Sequence, residues 1–228
     1  MVKTKKIDIS LKPIIVFLSF LIALGIFVFS TLFATSVCTK WYGLLIGVAL
    51  MLVAIPIHCQ GEKFRTCYAL SFLVNSVANG FSLSAYYIDS ENSLNVTEML
   101  KASVLPVALL FVVFLLIKLF PEIKKYICIS GVVIGCIMLV AFIVLSVKQG
   151  GVIFSFGFFA TLLSLFYYCI MGVTANNNRD GLRDISFGSF AAFIIISIVV
   201  LFIISDGEIL EAFDISGGES SQKSKKNK

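Results

Sequence analysis

Charge is what this chain has least of. Only 14% of its 228 residues are Asp, Glu, Lys or Arg, against about a quarter in an ordinary soluble domain. It has one histidine, one tryptophan and four prolines, and no Asp, Glu, His, Lys or Arg lies deep inside an apolar run. Missing ionisable groups argue against proton relays, pumps and catalysis within a bilayer, which use such groups in or beside the membrane. None of the six cysteines (Cys38, Cys59, Cys67, Cys128, Cys136 and Cys169) forms a C-x-x-C pair, and most lie in or beside apolar segments. They read as small hydrophobes, so neither a disulfide framework nor a metal site nor a cofactor is expected. Nucleic acid is not an expected partner either. The net charge of +5 is spread over short loops and the two tails rather than gathered in a patch, as membrane topology signals are.

What remains is overwhelmingly apolar. Hydrophobic residues make up 59% of the chain and the mean hydropathy is +1.02. A soluble core of this size cannot hide that much, so lipid is the expected solvent. Seven uncharged runs each read as a membrane span: 13–37, 41–57, 66–88, 102–117, 126–147, 150–173 and 185–205. The fourth is short, at about 16 residues, with Lys101 and Lys118 placed to snorkel at its ends. Ahead of the spans lies a basic arm, residues 1–12. It resembles the start of a signal peptide, but the apolar run behind it is too long for one and is expected to persist as the first helix. Behind the spans, residues 206–228 are too polar to cross and are expected to be surface-lying or disordered. The fold class expected is all-α, a polytopic transmembrane helical bundle of about seven spans.

Loop charges predict its orientation. Lys3, Lys5, Lys6, Lys12, Lys63, Arg65, Lys118, Lys124, Lys125, Arg179 and Arg183 would share one side, against Lys40, Lys101 and Lys148 on the other. That bias places the N-terminus in the cytoplasm of a cell-membrane protein, with the C-terminus outside. The chain also shows matched positions about 118 residues apart: Arg65 with Arg183, Ser71-Phe72 with Ser189-Phe190, and Asp89 with Asp206. They suggest two parallel triplets of spans joined by a linker span, a three-plus-one-plus-three repeat. In outline this resembles the SWEET and PQ-loop carriers. Pro56 lies in the second span, but the fifth and sixth have no proline, and the chain has no Pro-Gln pair.

The third run is the most informative. At about 100° per residue, Ser71, Asn75, Asn79, Ser82 and Tyr86 fall within about 80° of one another on a helix. Such a stripe cannot face lipid cheaply, so it should face other helices or a wet cavity. The sixth run carries Gly157, Thr161, Ser164, Tyr168 and Gly172 in a comparable sector. The expectation is that the two stripes face each other, with Ser71, Asn75, Asn79, Ser82, Tyr86, Ser164 and Tyr168 as solute contacts. Ordinary helix packing explains the same stripes.

Chemistry at the helix ends is less well founded. His58 lies near Cys59, Glu62 and Cys67, but the spacing matches no standard ligand or nucleophile pattern. Asn95-Val96-Thr97 is a glycosylation triplet in an outer loop. The function expected is a small-solute permease or facilitator with spans three and six lining its path. A non-catalytic subunit or scaffold, assembling with a membrane-protein partner or as a homo-oligomer, is the alternative. A membrane enzyme acting on lipid is third.

Overall fold

The computed structural model describes residues 12–89, 94–123, 126, 129–134, 136–137, 152–176 and 181–205, and 94% of the described residues are helical, with no strand among them. Four helices come first: α1 (Lys12–Val37), α2 (Lys40–Cys59), α3 (Thr66–Asp89) and α4 (Val96–Leu119). A helical stretch α5, described at 129–134 and 136–137, precedes α6 (Val152–Asn176) and α7 (Gly181–Ile204). Most of the expected fifth span, the basic arm and the polar tail lie outside the described residues.

Among the described residues, five helices are long and apolar enough to cross a membrane: α1, α2, α4, α6 and α7. At 1.5 Å per residue, a helix of 24 residues such as α7 measures about 36 Å, more than the roughly 30 Å hydrocarbon core. α3 is just as long but is not among the five. Its two asparagines and five serines and threonines take the place of the leucines and isoleucines found in its neighbours.

α4 runs from Val96 to Leu119, eight residues longer than the apolar run 102–117 that marks it in the sequence. The extra turns come from a cap. The Asn95 side chain accepts from the Thr97 N–H at 2.9 Å, and Glu98 occupies the first turn, where its charge favours the positive end of the helix dipole.

α3 is the helix against which the others assemble. α2 packs on it over its whole length, α1 and α7 pack on it as well, and α4 joins the bundle chiefly through α6. Residue pairings give the helix directions. Ser71 meets Ala54 while Gly43 meets Ser84, so α2 and α3 are antiparallel. Asn75 meets Ser189 while Ser82 meets Ser197, so α3 and α7 are parallel.

Two glycines let α2 come so close. A Cβ at Gly43 would sit 2.6 Å from Ser84 Oγ, and one at Gly47 would sit 2.5 Å from Ser82 Oγ and 3.0 Å from the Ala78 carbonyl oxygen. This Gly-x-x-x-Gly spacing places both glycines on one face, the close-approach arrangement common between membrane helices. On the other side of α3, Gly80 takes Ser30 and Thr31 of α1 in the same way.

The apolar core runs through the middle, with Phe20, Phe27, Tyr86, Phe156, Phe159 and Tyr167 fully or almost fully buried. α6 is mostly buried and α2 mostly exposed, which makes α6 a central helix and α2 a peripheral one.

Candidate functional site

The whole predicted stripe of α3 is buried: Ser71, Asn75, Asn79, Ser82 and Tyr86. Its main polar partner is α7. Asn75 Nδ2 donates to Ser189 Oγ at 3.0 Å, and Ser197 Oγ donates to Ser82 Oγ at 3.1 Å. Ser71 Oγ instead donates to the Ala54 carbonyl of α2 at 2.9 Å. Asn79 Nδ2 folds back onto the Asn75 carbonyl at 2.9 Å. Tyr86, at the far end, turns its ring to Phe159 of α6 and to Tyr87, whose hydroxyl lies 3.2 Å from Ser155 Oγ.

The small-residue sector of α6 does not face this stripe. Gly157 lies against Ala102 of α4, and Thr161 and Ser164 return their hydroxyls to their own helix. Tyr168 bonds Ser130 of α5 at 2.7 Å. That sector is therefore a seam towards α4 and α5. The α6 face directed at α3 is the one bearing Leu163 and Tyr167.

Those two residues close a narrow gap in the middle of the bundle. Its walls are Ala23 and Phe27 of α1, Ser76 and Asn79 of α3, Leu163 and Tyr167 of α6, and Ser189 of α7. In this conformation it is too tight for a free water molecule. Yet Asn79 Oδ1 and the Tyr167 hydroxyl, both fully buried, have no hydrogen-bond partner among the described residues. Asn75 Oδ1, one turn away, is in the same state. Each such group costs about 1–3 kcal/mol where neither protein nor water satisfies it. Ser76 is satisfied by its own helix, donating to the Phe72 carbonyl at 2.8 Å.

A polar track leads from the gap to one end of the bundle. Ser189 Oγ donates to the Ser186 carbonyl at 2.6 Å, and Ser186 Oγ lies 2.8 Å from His58 Nδ1. The imidazole is held edge-on by Tyr68, with ring centroids 5.1 Å apart, and by Phe190 at 5.6 Å. Close by, Arg183 and Glu62 approach to 3.9 Å, but both are mostly exposed, so that pair contributes little.

The sequence therefore yields Ser71, Asn75, Asn79, Ser82 and Tyr86 as one buried array, while Ser164 and Tyr168 belong to another seam. Tyr167, Ser186 and Ser189 were missed. The signal for Tyr167 was present in the run Phe156, Ala160, Leu163, Tyr167, a helical face whose last member carries a hydroxyl. No group of three or more His, Cys, Asp or Glu residues suited to a metal occurs among the described residues. Comparison with protein-family models, with curated proteins and with solved structures gives no match. The arrangement itself must carry the functional reading. It offers neutral hydrogen-bonding groups with unused capacity, enclosed by apolar walls.

Proposed function

We propose that this chain is a multi-pass protein of the cell membrane acting as a small-solute permease or facilitator, with its path between α3, α6 and α7. One observation carries the reading: buried, unpartnered polar atoms surround a closed gap at Asn79 and Tyr167. A permanently packed interface would gain by replacing such groups with apolar ones. A path that opens and closes needs them for the solute, and closing leaves them dry.

On this reading seven helices span the bilayer, α3 and α5 included, with the N-terminus in the cytoplasm and the C-terminus outside. The loop-charge bias supports that orientation. The parallel course of α3 and α7 fits the three-plus-one-plus-three repeat, as it fits any bundle whose spans alternate in direction. The track from His58 to Asn75 would then approach the gap from the cytoplasmic side.

The test is solute-driven swelling of proteoliposomes, compared between the native protein and Asn79→Leu. Flux through the native protein that Asn79→Leu abolishes, while the variant still folds, supports the proposal; equal flux through both sinks the path assignment. A non-catalytic membrane subunit is the second reading, favoured by the tightness of the gap in this conformation. It predicts a discrete protein partner at fixed stoichiometry in native mass spectrometry.

A further inference from the structure

We infer that the gap around Asn79 and Tyr167 binds a small uncharged solute that donates hydrogen bonds, and that these two residues set its specificity. The inference rests on the permease reading for its biological use, but the chemistry stands on the site alone.

Asn79 Oδ1 and Asn75 Oδ1 are carbonyl oxygens, so they can only accept. A ligand that satisfies them must bring N–H or O–H groups. The Tyr167 hydroxyl can give or take a hydrogen bond and lines the same gap as Asn79. The amide nitrogens are already engaged, Asn75 Nδ2 by Ser189 and Asn79 Nδ2 by the Asn75 carbonyl. The unused capacity at the gap is therefore one acceptor and one hydroxyl, with the Asn75 acceptor one turn away, a pattern complementary to a polyol or a urea-like amide.

Charge is excluded by the walls. Ala23, Phe27 and Leu163 are apolar, and Asn79, Ser76, Ser189 and Tyr167 offer no counter-ion. An ion brought there would lose its hydration without a partner to replace it. Size is limited in the same way. The gap is closed in this conformation, so a ligand enters only as the side chains and helices around it move apart, and every added atom demands more room. Binding restores the hydrogen bonds that closure leaves unmade, which makes a small donor-rich molecule the best occupant.

Saturation-transfer NMR on the full chain in nanodiscs tests this with glycerol, urea, formate and methylammonium as probes. Glycerol or urea should bind and the two ions should not. Tyr167→Phe removes one oxygen and leaves the packing intact, and should weaken the binding by about ten-fold, as expected for one lost buried hydrogen bond. Asn79→Leu should weaken it at least as much. Binding of the ions as strongly as the neutral probes overturns the inference, and so does unchanged binding in Tyr167→Phe or the failure of both neutral probes to bind. Swelling assays on the same samples separate the two proposals. Neutral-probe binding without flux leaves the site standing and removes the permease reading. Binding weakened by both substitutions while flux is unaffected leaves the site standing and puts the permease path elsewhere.

Discussion

His58 Nδ1 lies 2.8 Å from Ser186 Oγ, and this bond joins the end of α2 to the start of α7 across 128 residues of sequence. α2 and α7 otherwise touch little, so the clasp largely sets how the two helices meet. Pro56 sits two residues before His58 within α2, and it removes a backbone N–H there. His58→Ala should let this end of α2 move away from Tyr68 and α7. In a Cys59→Ser background, alkylation of the half-buried Cys67 should quicken by about three-fold, equivalent to roughly 0.6 kcal/mol for one interhelical polar contact. An unchanged rate would show that ring packing alone holds this end closed.

The α2–α3 seam predicts a sharp contrast between two glycines. Gly47→Ala drives a methyl group to 3.0 Å from the Ala78 backbone carbonyl and should destabilise the fold by about 1–3 kcal/mol, as overpacking does. Gly25→Ala meets nothing within 4 Å and should be neutral, or stabilising by up to about 1 kcal/mol through helix propensity. Reversible unfolding in mixed micelles would read both. Equal effects would mean that α2 does not approach α3 as closely as described.

Asn75 and Ser189 should show strong coupling. Ser189→Ala strands the Asn75 amide in a dry interior and should cost about 1–2 kcal/mol. Asn75→Leu removes the stranded group altogether. The double variant should therefore be more stable than the sum of the single effects predicts, and a double-mutant cycle measures the difference.

Two adjacent tyrosines should behave oppositely. Tyr168→Phe removes the 2.7 Å bond to Ser130 and should lower the melting temperature. Tyr167→Phe removes a buried hydroxyl that has no partner among the described residues, so the ligand-free protein should melt at the same temperature or higher. Differential scanning fluorimetry in detergent distinguishes the pair. A lower melting temperature for Tyr167→Phe would reveal a structural role for its hydroxyl.

The cap on α4 gives a local prediction. Asn95→Ala should cost about 1 kcal/mol and speed hydrogen exchange mainly in the first turn, around Val96 to Met99. Slow exchange there in the variant would show that packing, not the cap, holds the turn.

The outcome at α3 and α4 shows where the sequence was readable. The angular spacing of Ser71, Asn75, Asn79, Ser82 and Tyr86 identifies a buried face, because lipid cannot satisfy those groups, and all five are buried. The same spacing carries no information about which helix covers the face. α7 provides two of the polar partners, Ser189 and Ser197; the offset that pairs Ser189 with Ser71 in the sequence says nothing of its contact with Asn75. On α6 the small-residue stripe and the face of Leu163 and Tyr167 are not told apart by residue type, since close-packing seams and solute faces use similar residues. At α4, Asn95-Val96-Thr97-Glu98 reads as a glycosylation triplet when the helix is judged by hydropathy alone. It reads equally as a helix start, because asparagine caps an N-terminus and an acid three residues later supports it.

The polarity of α3 has a consequence for how the protein is made. A segment with Asn75, Asn79 and its serines gains little from entering lipid by itself, because hydrocarbon offers these groups no partners. α2, joined to it by the short turn at Gln60–Glu62 and seated through Gly43 and Gly47, can shield part of it at once. Ser189 and Ser197 of α7 emerge from the ribosome more than a hundred residues later. During synthesis Asn75 and Ser82 of α3 thus wait for α7 before they gain these partners.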